Sequence, residues 1–234
     1  MRLLILSLFL LLTSISTQAQ WLTKARLLND ENFDKVRFSW GFFLGGTSFD
    51  YNFDYKQEQT DIQVQRDAGF TVGLLGNLRL FEYLDLRIEP GLVFAQRTLL
   101  YAPNPQFNNE IDQIRDVGAT YVYLPLLLKF NTKRLNNMRP FATAGIATAT
   151  NLSSNEDNPD DNSAGQFRTD SSPLFYEIGF GIDFYLPYFK FTPAIKGVFG
   201  ITDELVRDDD PNSPWTGNID KLTSRGFFLT FTFQ

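Results

Sequence analysis

The 234-residue chain contains no cysteine and no histidine. The first absence removes disulfides and all thiol chemistry. The second removes the one side chain that ordinarily titrates near neutral pH, the usual general base. Long apolar runs are also missing after Leu12, so the body of the chain offers no membrane-spanning helix. Positive charge is in deficit, with 21 basic against 27 acidic residues and a net charge of −6. No nucleic-acid partner is expected from that balance.

Phenylalanine, by contrast, is abundant. It supplies 24 residues, and aromatics make up 15% of the chain. So heavy a load has to be buried, yet no continuous apolar stretch carries it. Alternation resolves the conflict, because a transmembrane β-strand needs apolar side chains only at every second position. The closing stretch RGFFLTFTFQ shows the pattern: Phe227, Leu229, Phe231 and Phe233 share one face, with Gly226, Thr230 and Thr232 between them. Such a stretch is expected to close a barrel against its first strand, with an outward Phe233 and no tail to thread through the membrane.

The amino-terminal MRLLILSLFLLLTSISTQAQ has an early cation, an apolar run from Leu3 to Leu12 and a small-residue exit at Ala19. It reads as a secretory signal peptide over residues 1–19, with Gln20 as the mature start. The run is short of the ~20 residues of a spanning helix. Residues 20–34 are then expected to form a short periplasmic segment, and residues 35–234 the barrel domain.

Eight alternating segments follow. Their apolar faces include Phe38, Trp40, Phe42 and Leu44; Phe70, Val72 and Leu74; Leu84, Leu86, Ile88, Leu92 and Phe94; and Val122, Leu124, Leu126, Leu128 and Phe130. Arg139 to Thr150 is small and ambiguous. Leu174 to Phe184, Phe189 to Ile201 and the closing stretch complete the set. Short links at Phe81–Tyr83, Asn131–Asn137 and Leu186–Tyr188 alternate with long polar ones at Asp50–Asp61, Tyr101–Asp116, Asn151–Ser172 and Thr202–Asn218. Short periplasmic turns and long outer loops are the asymmetry of an eight-stranded antiparallel up-and-down transmembrane barrel. An interfacial aromatic girdle is expected from Phe38, Phe81, Tyr83, Phe130, Phe141, Tyr185, Tyr188, Phe189, Phe231 and Phe233. A soluble lipocalin-like barrel has the same period, but it would leave Gly41, Gly73, Gly91, Gly179 and Gly181 on exposed strand faces, where glycine only weakens a strand. Inside a narrow barrel they make room for large neighbours.

The interior of eight strands is just wide enough for side chains to fill. The predicted lumen holds Arg79, Arg87, Arg97, Lys129, Lys190 and Lys196 with Asp85, Glu89, Glu177 and Asp183. These mixed signs point to a paired network, with a proton or ion path as the sharper alternative. Glu177 and Asp183 have no substrate access there, so no enzyme is expected and no catalytic or cofactor residue is assigned. The third and fourth outer loops, NLSSNEDNPDDNSAGQFRTD and DELVRDDDPNSPWTGNID, are acidic. Asp157, Asp160 and Asp161, or Asp208, Asp209 and Asp210, supply oxygen ligands but not the spacing of a calcium loop, so no metal is assigned. Turn residues beside Phe167 and Trp215 indicate ordered loops that pack on each other or on a partner. The candidate partner-binding residues are Asn158, Asp160, Asp161, Phe167, Arg168, Asp208, Asp209, Asp210 and Trp215.

The segments NLSSNEDNPDDNSAGQFR, FYEIGFGIDFYLPYFKFTPAIKG, DELVRDDDPNSPW and RGFFLTFTFQ resemble the PorT (SprT) family of the type IX secretion system. GFFLGGTSFDYNFDY, LRIEPGLVFAQRTL and YVYLPLLLKFNTKR fit the same family, so the resemblance runs from about Lys35 to Gln234. It implies an integral outer-membrane protein required for type IX cargo export and, in gliding bacteria, for motility. It implies outer-membrane lipid and other type IX components as partners and brings no catalytic residues. The rivals are a stand-alone structural or adhesive barrel acting through its loops, and a small-ligand or ion-binding porin-like barrel.

Overall fold

The computed structural model describes residues 28–58, 60–107 and 109–234. The expected signal peptide lies outside them. Ten strands are formed: β1 (Phe38–Tyr55), β2 (Gln63–Arg66), β3 (Ala68–Arg79), β4 (Leu84–Ile88), β5 (Gly91–Leu100), β6 (Ile114–Asn131), β7 (Met138–Asn151), β8 (Leu174–Tyr185), β9 (Lys190–Gly200) and β10 (Ile219–Phe233). They amount to eight staves. β2 and β3 are one stave broken at Asp67, and both pair with β5. β4 and β5 are one stave broken at Pro90, which has no N–H to give to the ladder, and both pair with β6 in the same register.

Every neighbour is antiparallel, and β1 pairs with β10 on one side and β3 on the other. The barrel is therefore closed, with β1 laddered to both neighbours from Phe42 to Ser48. The closing seam runs from Phe42 opposite Phe233 to Tyr55 opposite Ile219. Here β1 extends past the expected loop start at Asp50, and β6 begins before Asp116, so both staves project above the apolar band.

Alternation places the side chains as the strand reading requires. Phe38, Trp40, Phe42, Leu44, Phe70, Val72, Leu74, Val122, Leu124, Leu126, Ile178, Phe180 and Phe227 are exposed on the wall, while Asp85, Arg87, Glu89, Lys129, Glu177, Asp183, Lys190 and Lys196 are buried within it. Among the described residues no helix is long and apolar enough to cross a membrane. The inner glycines admit large rings. A Cβ on Gly73 would lie 2.7 Å from the Phe43 ring, and one on Gly91 2.9 Å from it.

Three expectations are corrected. Phe141 and Tyr185 do not join the girdle: both are buried inside. The Phe141 ring tip lies where a Cβ on Gly181 would come within 2.6 Å, and Tyr185 follows the outward Phe184, so period two turns it inward. Arg79 stands at the periplasmic rim rather than in the lumen, donating to the Asp34 and Phe81 carbonyls. Phe38, Phe81, Tyr83, Phe130, Tyr188 and Phe189 do project outward.

The lower seam is aromatic. The Phe233 ring lies 5.3 Å from Phe42, 5.3 Å from Phe191 and 6.1 Å from Phe189. Phe233→Asp removes these contacts and sets a charge near the interface. Aromatic pairs are worth about 0.5–1.5 kcal/mol each and an interfacial charge costs up to about 1 kcal/mol. The variant should reduce heat-modifiable, membrane-inserted protein. Undiminished folded protein would remove Phe233 from the seam.

Candidate functional site

Three layers fill the barrel from the periplasmic end to the outside. The lowest is ionic. Lys129 Nζ lies 2.5 Å from Asp183, with Lys190 at 3.8 Å from the same carboxylate. Lys196 bridges two carboxylates, bonding Glu89 and lying 3.0 Å from Glu177. Arg87 reaches Glu89 at 3.3 Å, Tyr123 donates to Glu177 at 3.0 Å and Thr192 to Asp183 at 2.7 Å. Arg87, Lys129 and Phe141 also meet face to cation. Each buried charge thus has an opposite charge or several polar contacts, which burial in a narrow lumen demands.

Below this layer the residues preceding β1 cross the mouth. Asp34 accepts from Arg139 at 3.1 Å and Tyr185 at 2.5 Å, with Arg134 at 3.5 Å. Phe33 packs edge-on to Tyr185, and Lys190 sits 4.4 Å above its ring. Asn29 bonds Asn137 and the Tyr185 carbonyl. The described part of the expected periplasmic segment is therefore a cap.

The middle layer is apolar: Phe49, Val93, Tyr121, Tyr123, Phe175, Val198 and Phe228 pack together across the barrel. Above it lies Arg97, which forms no ion pair among the described residues. Its guanidinium stacks 3.9 Å from the Tyr51 ring centroid and donates to Tyr121 at 3.1 Å and to Ser224 at 3.0 Å. Ser224 in turn donates through its N–H and hydroxyl to Glu204 at 2.7 and 2.8 Å. Sequence pattern found Arg97 but not this partner chain, because Glu204 comes from a loop.

The third and fourth outer loops form the top layer. Phe167 and Leu205 are buried with Tyr51, Leu99, Tyr101 and Leu222. A bridge joins Thr169 to Leu205. Asp208 collects the Asn162 amide at 2.9 Å, Ser213 at 2.5 Å and Thr216 at 2.9 Å. Arg115 from β6 donates to the Asn162 side chain and carbonyl and lies 4.7 Å from the Trp215 ring centroid. Trp215 donates to the Asp112 carbonyl at 2.8 Å.

The sequence-predicted residues divide accordingly. Phe167, at 4% exposure, Arg168 and Asp208 are buried within the plug, so these three candidate partner-binding residues face inward. Arg168 donates to the Asn158 and Arg207 carbonyls. Trp215 and Asn158 are half-buried. Asp160, Asp209 and Asp210 are exposed, and Asp161 is partly so. The Ser163 hydroxyl and N–H hold the Asp161 carboxyl below its usual range. Gly165 turns the chain with φ of 88° after the short helical turn Asn162–Ala164. Among the described residues no His/Cys/Asp/Glu cluster is arranged to hold a metal.

Residues 18–206 match the outer membrane protein beta-barrel domain. The chain belongs to that family. Solved structures give similar barrels at low identity. OprG from Pseudomonas aeruginosa has a TM-score of 0.47 at 12% identity, covering 84% of this chain and 93% of its own. Ail of Yersinia pestis, in complex with the heparin analogue sucrose octasulfate, has 0.39 at 13%, covering 85% and 99%. Neisserial surface protein A has 0.37 at 9%, covering 82% and 95%. Comparison with curated proteins gives no match. The barrel is an integral outer-membrane protein with its short turns in the periplasm.

Two predictions follow the layers. Lys196→Met leaves Glu89 and Glu177 facing each other and should cost about 3–5 kcal/mol, whereas Lys190→Met leaves Lys129 on Asp183 and should cost less. Adding Glu177→Gln to Lys196→Met should restore part of the loss. Equal, silent unfolding of all three in detergent would place these side chains in solvent.

Glu204 sits above the apolar band, at the level where Arg225 pairs with Asp50 on the outer surface at 2.7 Å. Burial pushes its carboxyl up, against the opposing pull of Ser224 and Arg97. A carboxyl raised in the folded state favours folding below the ordinary value, about 4.3, and loses that contribution as pH rises through the raised one. Glu204→Gln should therefore flatten the decline in thermal stability from pH 4 to 8. An unchanged slope would mean that Glu204 is solvated.

Proposed function

We propose that this barrel serves type IX protein export as a non-enzymatic assembly or accessory component, with gliding as a further output where the host glides. The sequence resemblance to the PorT family supports the system. The observation that carries the mode of action is the filling of the barrel from end to end, beneath outer loops folded into one plug. Folded cargo has no passage through such an interior, so another protein forms the conduit and this one acts from its surface. Delivery to the envelope by the amino-terminal signal segment belongs to the same reading.

The docking face in this proposal is the acidic top of the plug: Asp160, Asp161, Asp209 and Asp210, with Asn158 at its margin. Phe167, Arg168, Asp208 and Trp215 contribute by fixing the loops beneath it. Fixed loops lose little conformational entropy on binding, which is the advantage of a rigid charged platform over a tether.

Two variants separate docking from loop stability. Replacing residues 158–168 by a Gly/Ser linker removes the face together with Phe167 and Asn162. Reversing Asp160, Asp209 and Asp210 to Lys changes exposed charge and leaves Phe167 and Asn162 in place, with loss of the Asp209 contact to Arg168 at 4.0 Å and of the Asn212 N–H bond to Asp210. Heat-modifiable barrel and secreted cargo are measured in the same cells. The charge-reversed protein should stay folded while export falls several-fold. Undiminished export with intact barrel would sink the docking face, and loss of barrel with loss of export would assign the loops to stability alone.

A further inference from the structure

β1 is laddered to β3 only as far as Ser48 opposite Ala68, yet it continues to Tyr55 against β10. Above the break at Asp67, β2 ladders with β5 alone. The break shifts the register by one residue, since Phe70 faces Phe94 but Arg66 faces Arg97. The Asp67 N–H turns to the Gln96 carbonyl, so the backbone groups of Ile62, Val64 and Arg66 point at β1. Those of Phe49, Tyr51 and Phe53 point back at them. The Arg37 carbonyl, of the same parity, bonds Arg79 on that side, and backbone groups alternate sides along a strand. Two strand edges thus face each other with no ladder between them among the described residues. The slot they leave has a volume of about 310 Å³, and its walls are consecutive residues, Asp50 to Phe53 and Ile62 to Val64. A pocket on one face of a sheet takes alternate residues, so these walls are backbone edges. Side chains stand in for the missing strand. Asp50 accepts from the Tyr51 N–H at 2.9 Å, and the Tyr55 hydroxyl accepts from the Ile62 N–H at 2.9 Å. At the lower end Asp50 also holds Arg225 at 2.7 Å and Arg66 at 3.8 Å.

We propose that this slot binds the carboxyl-terminal strand of a partner protein, an extended segment about as long as the four-residue β2 and ending in a free carboxylate. Three observations choose this occupant. An extended backbone satisfies both edges at once, replacing the Asp50 and Tyr55 contacts by ladder bonds. The β1–β3 ladder shuts the slot at Ser48, so the added strand has to end there rather than pass through. Two guanidiniums, Arg66 and Arg225, converge on the single Asp50 carboxylate at that end, and a terminal carboxylate supplies the second anion. The strand then runs antiparallel to β1 and parallel to β2. Its inward side chains meet Phe53 and Val64, which pack on the plug, and its outward ones meet solvent, so alternating apolar and polar residues suit it.

The probe is the dye-labelled tetrapeptide Thr-Val-Thr-Val with a free carboxylate, added to the folded full chain in detergent and read by fluorescence anisotropy. Heat-modifiability confirms each barrel. The amide-terminated peptide should bind about tenfold more weakly, the effect of one hydrogen bond to a charged group. The peptide with methylated backbone nitrogens, which cannot donate to a ladder, should not bind. Arg66 is exposed, so Arg66→Gln should leave the barrel folded. It should weaken the free-carboxylate peptide about tenfold and leave the amide unchanged. Because the chain has no cysteine, Asn52→Cys can carry a single bimane in the slot. A tryptophan-tagged peptide should quench it, but not a bimane at Leu152→Cys on the third outer loop.

Equal binding of the acid and amide peptides would overturn the carboxyl-terminal occupant. Undiminished binding of the methylated peptide would overturn strand addition itself, in favour of side-chain adhesion. Equal quenching at both bimane positions would move the contact to the plug and overturn the slot. No binding of the free-carboxylate peptide to a folded barrel would also overturn the proposal, leaving Asp50 and Tyr55 as the slot's permanent filling.

Discussion

Closure of eight staves into a narrow barrel leaves each strand side chain only two environments, lipid or lumen, and the lumen has to be filled. Everything else in this molecule answers that constraint. The Lys196 ammonium, held between Glu89 and Glu177, is the centre of the answer on the periplasmic side. It lets three strands, β8, β9 and the β4–β5 stave, share one buried charge set. The aromatic layer above it needs no ions, because Phe49, Phe175 and Phe228 fill the section with rings.

Filling does not stop at the membrane. The Asp34 cap closes one mouth with charge-assisted contacts, and the Asp208 network with Phe167 closes the other with polar bonds over an apolar base. Both closures come from segments outside the staves. Each is short of apolar area on its own and gains order by bonding to groups that the barrel already holds in place, such as Arg139, Tyr185 and Arg115. A scaffold with ordered surfaces at both ends and a side-chain-filled interior results.

Much of this was legible in the sequence, for one reason: period two acts locally, and each strand declares its own phase. Glu177 and Asp183 could be placed inside because Ile178, Phe180 and Ile182 stand between and beside them. The mixed signs of Glu177, Asp183, Lys190 and Lys196 pointed to a paired network, and the short turn joining their strands brings Lys190 to Asp183 and Lys196 to Glu177. Phase was lost where side chains are small. In β7, Ala142, Thr143, Ala144 and Gly145 give no contrast, so Phe141 was assigned to the girdle instead of the lumen. Tyr185 was misplaced differently, by reading its position near a turn above its alternation with Phe184. Contacts between separate loops carry no local signal. Nothing in DELVRDDD tells that Glu204 meets Ser224 or that Asp208 gathers Asn162, since those partners meet only after closure brings β6, β8 and β10 together. The candidate docking residues were therefore recognisable as ordered, while their division into buried support and exposed face was not.

The central claim is that side chains occupy the whole section of the barrel. Single-channel recording of the purified, folded protein in a planar bilayer tests it most directly. A filled barrel predicts a flat baseline with no discrete openings under applied voltage in molar salt. Stable, reproducible conductance steps from heat-modifiable protein would contradict it and turn the luminal charges into a path for ions.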